Sequence, residues 1–195
     1  MTRDKILDAA AHEVERHGLT QFRVKRVAAE AGTSVALLYS YFDNREGLIA
    51  AAIVHRFRQV LMAQAEIFTT PLRGVETVTA LHSALTKMIS EAQAPELDRA
   101  RLARVESMSF AEHNPAASEG IAAAKREASD LILTWVTPLE TRGLLAPGVS
   151  AIAFARIWYA LFFGQISLEG EHALSIDAGE WLRALAHLAD AVVGD

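Results

Sequence analysis

Apolar side chains recur along most of the chain at intervals of three and four residues, the spacing that places them on one face of an α-helix. The first such stripe consists of Ile6, Leu7, Ala10, Ala11 and Val14. Gly18 follows it, at a position where glycine commonly ends a helix. The strict alternation typical of β-strands is hard to find. The pattern therefore predicts an all-α fold of about nine helices.

Turn residues between the stripes set the bounds of the other helices. They are predicted over residues 24–31, 35–41, 43–68, 75–89, 96–112, 115–141, 151–170 and 177–193. Asp43 is expected to cap the fourth helix in a capping box with Glu46, and Pro138 to kink or end the seventh. We predict two domains, residues 1–45 and residues 46–195, joined by the continuous fourth helix.

Composition narrows the class of protein. Apolar residues make up 51% of the 195 residues, enough to form a buried core. The lack of cysteine excludes disulfides, thiolate metal ligands and cysteine nucleophiles. The longest apolar stretch, residues 151–164, contains Arg156 and is shorter than the roughly 18 residues of a membrane-spanning helix. No signal-peptide core is visible at the N-terminus. We expect a soluble, cytoplasmic protein with no membrane partner.

Charge is distributed unevenly along the chain. Residues 1–58 carry nine Lys or Arg against seven Asp or Glu, whereas the whole chain has a net charge of -5. A locally basic N-terminal end on an acidic body indicates, weakly, a polyanionic partner for that end.

Residues 24–42, VKRVAAEAGTSVALLYSYF, have the pattern of a helix-turn-helix. Ala28 is small where two helices must approach closely, and Gly32 suits a tight turn. Ser34 can cap the following helix. The expected shared core is Val27, Ala31, Leu38 and Phe42. Such a unit places its second helix in the major groove of DNA. A helical hairpin without a role in DNA binding remains the alternative for this segment alone.

The run from Lys5 to Ile53 resembles the DNA-binding domain of the TetR family of transcriptional regulators (TetR/AcrR-like). The matching segments are ILDAA, His17-Gly18, VAAEAG, LLY-YF and REGLI. The resemblance implies an N-terminal three-helix DNA-binding domain. It also implies a variable helical C-terminal domain that dimerises and often binds a small ligand that weakens operator binding. We therefore expect a homodimeric, ligand-released repressor that binds a double-stranded DNA operator.

Two departures from the family pattern bear on how DNA is read. Phe22 stands where the family commonly has a capping threonine, and we expect its ring to fill core volume instead. The third helix has no charged residue between Ser34 and Phe42, so we predict contacts with thymine methyl groups and readout of DNA shape. Arg45 stands where the family usually carries lysine. The predicted DNA-contacting residues are Arg23, Lys25, Arg26, Ser34, Val35, Ala36, Leu37, Tyr39, Ser40, Tyr41 and Arg45.

Two further sets of residues are predicted in the C-terminal domain. The helix over residues 151–164 is apolar around nearly its whole circumference and requires cover on two sides. The predicted dimer interface is Ile152, Ala155, Tyr159, Phe163, Trp181, Leu185, Leu188 and Val192. The predicted pocket for an apolar or amphipathic effector is Met62, Phe68, Met88, Arg104, Met108, Phe110, His113, Trp135, Trp158 and Phe162. A filled core remains the alternative for both sets.

Catalysis is not expected. The sequence lacks GxxxxGK[ST], GxGxxG, HExxH and GxSxG, and its seven histidines show no metal-ligand spacing. We predict no cofactor, no metal site and no catalytic residue. Two other functions remain open: a DNA-binding dimer without a ligand, and a helical module that binds another protein.

Overall fold

The computed structural model describes residues 2–92, 94, 96–164 and 176–194. This part of the chain holds nine α-helices and a short 3₁₀ turn, Thr70–Leu72, with no β-strand in it. The helices are α1 (Thr2–His17), α2 (Val24–Glu30), α3 (Val35–Phe42), α4 (Arg45–Thr69), α5 (Val78–Glu91), α6 (Glu96–Ala111), α7 (Pro115–Thr141), α8 (Ala151–Gly164) and α9 (Ala178–Val192). An isolated bridge pairs Leu145 with Val193. The all-α prediction is confirmed.

Most predicted helix bounds agree with the structure to within two or three residues. Pro138 does not end α7, which continues to Thr141. The predicted helix over 151–170 is described as far as Gly164, and its last six residues lie outside the described part of the chain.

The start of α4 differs from the prediction. The helix is capped by Asn44, whose side-chain oxygen accepts a hydrogen bond from the Gly47 amide at 2.8 Å. Asp43 instead takes a left-handed backbone conformation with φ of 59°, so the predicted capping box is wrong. A Cβ atom at Gly47 would lie 2.4 Å from the carbonyl oxygen of Phe42. Glycine is therefore required where the end of α3 meets α4.

The chain forms two compact units. The first comprises residues 1–61 and 103–126, and the second comprises residues 62–102 and 127–195. Because α4, α6 and α7 each contribute residues to both units, this division follows packing rather than chain order. The predicted sequence boundary at residue 45 stays a prediction.

The core of the first unit is built mainly from α1 to α4. Its buried members are Ile6, Leu7, Ala9, Ala10, Phe22, Val24, Val27, Ala28, Leu38, Phe42, Leu48, Ile49, Ala52 and Ile53. Phe22 is 4% exposed, which confirms that its ring fills core volume. Arg23, the residue before α2, provides no side-chain cap.

Glu13 of α1 is buried in the first unit. Its carboxylate accepts hydrogen bonds from the backbone amide of Arg23 at 2.9 Å and from the Arg26 guanidinium, whose Nε lies 2.9 and 3.0 Å from the two carboxylate oxygens. Burial alone would raise the pKa of Glu13, but the hydrogen bonds from Arg26 and Arg23 outweigh it and hold the pKa below its ordinary value. Glu13 thus fastens the start of α2 to α1.

The second unit is built around α5 and α9. The α5 helix packs against α9 and against the 3₁₀ turn. On α9 the buried residues are Leu185, Ala189 and Val192. On α8 they are Ala151, Phe154 and Trp158.

We expect Glu13→Gln to lower the free energy of unfolding by about 1–3 kcal/mol at pH 7, because the amide keeps the shape but loses the charge that Arg26 requires. The stabilising contribution of a carboxylate with a lowered pKa is complete above its ordinary value of 4.5 and is lost as the pH falls through the lower folded value. The difference between the variant and the wild type should therefore shrink below pH 4.5. Urea unfolding between pH 3 and pH 8 measures this difference. Glu15→Gln, at an exposed site on α1, is the matched control. An equal loss in both variants would contradict this role of Glu13.

Candidate nucleic-acid interface

The turn between α2 and α3 is fixed by backbone hydrogen bonds and a helix cap. Gly32 has a φ of 65°, a left-handed value that glycine adopts without strain. The amide of Thr33 donates to the carbonyl of Ala28 at 2.9 Å. Ser34 Oγ accepts a hydrogen bond from the amide of Leu37 at 3.1 Å, which confirms the predicted cap. These contacts within the chain fix the position at which α3 begins, without help from a bound partner.

The α3 helix has an inner and an outer face. Leu38 and Phe42 are buried in the core, and Val35 is half-buried against the same core cluster. The outer face carries Ala36, Leu37, Ser40 and Tyr41, all of them exposed. Val35, which was predicted on the exposed edge with Ala36 and Leu37, lies on the inner side of α3. We call Ala36, Leu37 and Ser40 the outer stripe of α3.

Two tyrosines border the outer stripe. Tyr39 is 37% exposed and Tyr41 is 46% exposed. With 3.6 residues per turn, two positions along a helix differ by about 200°, so the two rings lie on opposite sides of Ala36 and Ser40. Their hydroxyls are available to donate hydrogen bonds on either side of the stripe.

The basic residues at the start of α2 fall into two groups. Arg23 and Lys25 are exposed. Arg26 is held by the chain itself, because its guanidinium is paired with Glu13 and donates to the carbonyl of Gln21 at 2.6 Å. The pairing with Glu13 also raises the pKa of Arg26. Three basic residues at the start of α2 are predicted to contact phosphates. Arg23 and Lys25 are exposed, whereas Arg26 is hydrogen-bonded within the chain.

Arg45 is also engaged with its own chain. Its guanidinium donates to the carbonyl oxygens of Leu19 at 3.1 Å and Phe22 at 3.4 Å. The same group lies over the Phe22 ring, 5.7 Å from its centroid. Phe22 and Arg45, which both differ from the residue usual in the family, are therefore in contact. Arg45 braces the loop between α1 and α2 against the start of α4, a role that the sequence alone did not indicate.

The predicted effector residues do not all lie in one compact unit. Arg104, Met108, Phe110 and His113 belong to the first unit. There Phe110 packs against the core and lines a cleft of about 450 Å³ together with Leu19 and other residues, whereas His113 is exposed. The members that belong to the second unit are Met62, Phe68, Met88, Trp135, Trp158 and Phe162.

The residues predicted to form the dimer interface differ in burial, and some of them are buried within the single chain. Leu185 and Val192 are only 2% and 5% exposed within the single chain, because that face of α9 packs inside the second unit. They are core residues, and their assignment to an interface is corrected. Ile152 is 65% exposed and Tyr159 37%. The half-buried remainder of the set is Ala155, Phe163, Trp181 and Leu188.

No helix in the described ranges combines the length and the apolar character needed to cross a membrane. Within the same ranges, no group of three or more His, Asp or Glu side chains is placed to hold a metal ion.

We expect Arg45→Lys to lower the free energy of unfolding by about 1 kcal/mol, because lysine lacks the planar group that reaches two carbonyls and stacks on Phe22. The expected fall in Tm is about 2–4 °C, measured by calorimetry. Arg23→Lys makes the same exchange at an exposed site and should leave the Tm unchanged. Equal Tm values for the two variants would show that Arg45 does not act as a brace.

Comparison with known proteins agrees with this geometry. The family described as "Bacterial regulatory proteins, tetR family" matches residues 6–52. The HTH-type transcriptional regulator BetI of Brucella melitensis biotype 2 is 29% identical over 94 residues, which are 47% of this chain and 48% of that protein. The chain thus matches about half the length of this curated relative.

Solved structures extend the similarity of fold to nearly the whole chain. A protein from Rhodococcus sp. described as a TetR-family transcriptional regulator has a TM-score of 0.65 at 23% identity, covering 98% of this chain and 97% of that one. A transcriptional regulator from Saccharomonospora viridis, solved in complex with choline, has a TM-score of 0.63 at 18% identity, with coverage of 98% and 97%. Residues 6–52 of this chain are thus similar to the tetR family of bacterial regulatory proteins, and the chain shares the helical fold of these solved structures.

Proposed function

We propose that this protein is a homodimeric DNA-binding repressor that a small molecule releases from its operator. The observation that carries this proposal is the outer stripe of α3, an exposed and uncharged helical surface held in a fixed orientation by its own core. A helix-turn-helix unit places such a surface against base edges in the major groove.

The chemistry of the outer stripe determines what it can read. Ala36 and Leu37 offer apolar contacts, which match thymine methyl groups. Ser40 Oγ donates to the carbonyl of Leu37 at 2.7 Å and keeps its capacity to accept. With no guanidinium or ammonium group on the stripe, the bidentate contact with guanine is not available. Recognition therefore depends on A·T pairs and on DNA shape.

Groups around the stripe supply contacts with the DNA backbone. The hydroxyls of Tyr39 and Tyr41 lie on its two sides, and Arg23 and Lys25 are exposed cations at the start of α2. Contacts of this kind fix the register of a protein on the duplex without reading sequence. Neutralisation of phosphates makes the affinity fall as salt rises.

Specific binding by one short helix requires a second copy of the chain. Dimers place two such helices about 34 Å apart, one turn of the duplex. The surface best suited to pairing is the exposed side of α8, with Ile152 and Tyr159, together with the neighbouring half-buried residues of the set and Leu182 of α9. A two-fold interface would bring each of these residues against the same patch of a second chain.

Release by a ligand is supported by the continuity of α4. One helix of 25 residues begins beside the end of α3 and ends at Thr69, within the second unit. The Saccharomonospora viridis regulator, which shares this fold, was solved in complex with choline, and this supports a small-molecule ligand for the present chain. A ligand that favours one position of α4 would bias the DNA-binding equilibrium through the same helix.

Nuclease protection of the DNA upstream of the protein's own gene and its neighbours tests the function. We expect a protected palindrome whose half-sites are separated by one helical turn, and an affinity that falls steeply with salt. Failure to bind any promoter DNA in a salt-dependent manner would favour a helical protein-interaction module instead.

Leu37→Ala should abolish the discrimination between thymine and uracil in the operator. Replacing thymine by uracil removes only the methyl group that Leu37 is expected to contact. Loss of one such contact corresponds to about 0.8 kcal/mol, or roughly a 4-fold weaker Kd. The wild type should show this loss at one or more positions, and Leu37→Ala should show none there. Leu102→Ala, an exposed leucine on α6, is the control. Discrimination that changes only at G·C pairs would contradict this account of the stripe.

Ile152→Glu should raise the dimer dissociation constant at least roughly 10-fold, because two-fold symmetry brings the new charge into the interface twice. Analytical ultracentrifugation measures the change. Leu102→Glu places the same charge on an exposed apolar site of α6 and should leave the dimer intact. Dissociation in the Leu102 variant alone would move the interface from α8 to α6.

A further inference from the structure

Two polar side chains in the second unit are buried without a hydrogen bond. Thr69 and Trp158 are both 0% exposed. Neither Thr69 Oγ1 nor Trp158 Nε1 has a hydrogen-bond partner among the residues that the structure describes. Thr69 is the last residue of α4, and Trp158 lies in the middle of α8.

Such groups are uncommon in folded proteins. A large majority of buried polar side-chain atoms have a partner, and a buried donor without one destabilises the fold by the cost of its lost hydration. Two in one unit therefore require an explanation. Both groups can donate a hydrogen bond, so an acceptor would satisfy each of them.

The surroundings of the two donors are aromatic. The Trp158 ring lies 5.7 Å from that of Phe162 and 6.2 Å from that of Phe154, between centroids. Phe162 in turn lies 6.5 Å from Phe68, the residue before Thr69. A row of ring contacts thus leads from Trp158 to the end of α4.

Arg101, a buried cation nearby, is already paired with a carboxylate. Arg101 donates to the carbonyl oxygens of Phe162 at 2.9 Å and Ala92 at 2.6 Å, and it pairs with Asp98 at 2.6 Å. These bonds fix the backbone of α8 next to the Phe162 ring. They leave no counter-ion role for Arg101, so the acceptor that suits this region is uncharged.

We propose that Thr69 and Trp158 are the hydrogen-bonding residues of a site for a small, mainly apolar molecule that carries a neutral carbonyl acceptor, such as a ketone or an ester. The inference rests on the proposed function, because it specifies the chemistry of the effector. An apolar site with a few placed polar groups is the usual design for small-molecule binding. A ligand at this site would contact the final residue of α4, which begins beside the DNA-binding helix.

The first test measures stability without ligand. Thr69→Val replaces the hydroxyl by a methyl group of similar size, so removal of an unbonded buried donor should raise the Tm by about 2–4 °C. Thr86→Val is the matched control. The Thr86 hydroxyl is exposed and already donates to the carbonyl of His82 at 3.0 Å, so its loss should not raise the Tm. A lower Tm for Thr69→Val would show that this hydroxyl already has a partner, and it would overturn the proposal.

The second test measures binding with two probes of equal shape. Acetophenone carries a carbonyl oxygen, and α-methylstyrene has a CH₂ group in its place. In protein with ¹⁵N-labelled tryptophan, Trp158→Phe identifies the Trp158 signal among the three indole N–H signals. Acetophenone should move that signal downfield in a saturable manner, whereas α-methylstyrene should not. Thr69→Val should weaken acetophenone binding about 5–10-fold, and Thr86→Val should leave it unchanged.

The outcomes separate this inference from the proposed function. Equal binding of the two probes by the wild type, or binding of neither, would overturn the carbonyl site while leaving operator binding to be judged by nuclease protection. Acetophenone binding that depends on Thr69, in a protein that protects no DNA, would retain the site and remove the repressor function.

Discussion

The packing of one side of α3 is the constraint on which the rest depends. A helix of eight residues is too short to be stable alone in water, so its shape comes from tertiary contacts. Val35, Leu38 and Phe42 supply those contacts, and the opposite side is left without any requirement of its own for folding. Substitutions at Ala36, Leu37 and Ser40 can therefore change the exposed surface of α3 without loss of its core contacts.

Phe22 and Arg45 both differ from the residue usual in the family, and their side chains contact each other. The N-cap residue of α2, Arg23, provides no side-chain cap, and Phe22 beside it is buried in the core. Here the carboxylate of Glu13 takes the Arg23 amide, and Arg45 binds the loop carbonyls beside the Phe22 ring. Both contacts join segments that are far apart in sequence. The motif is thus held in part by the side chains of Glu13 and Arg45.

Local signals predicted the helices well and the partners of charged groups poorly. Periodicity, Gly32 and Ser34 are short-range features, and they placed α2, the turn and α3 within one residue. Arg26 and Arg45 were assigned to phosphates because a basic residue near a recognition helix is usually solvent-facing. A signal for Glu13 was present, since it follows Ile6 and Ala10 in the register of the buried stripe. Burial on α9 depended on α5, so Leu185 and Val192 could not be assigned to a core or a surface from their own helix.

Helix α4 has no glycine after Gly47 and no proline anywhere, so nothing in its sequence favours a bend along the 22 residues that follow. The helix is about 37 Å long, so a tilt of only about 3° about one end would displace the other by about 2 Å. A shift of that size at the outer stripe of α3 would be enough to misalign its side chains with the bases that they are proposed to contact. Small rearrangements near Thr69 would then have large effects on the operator without any local unfolding.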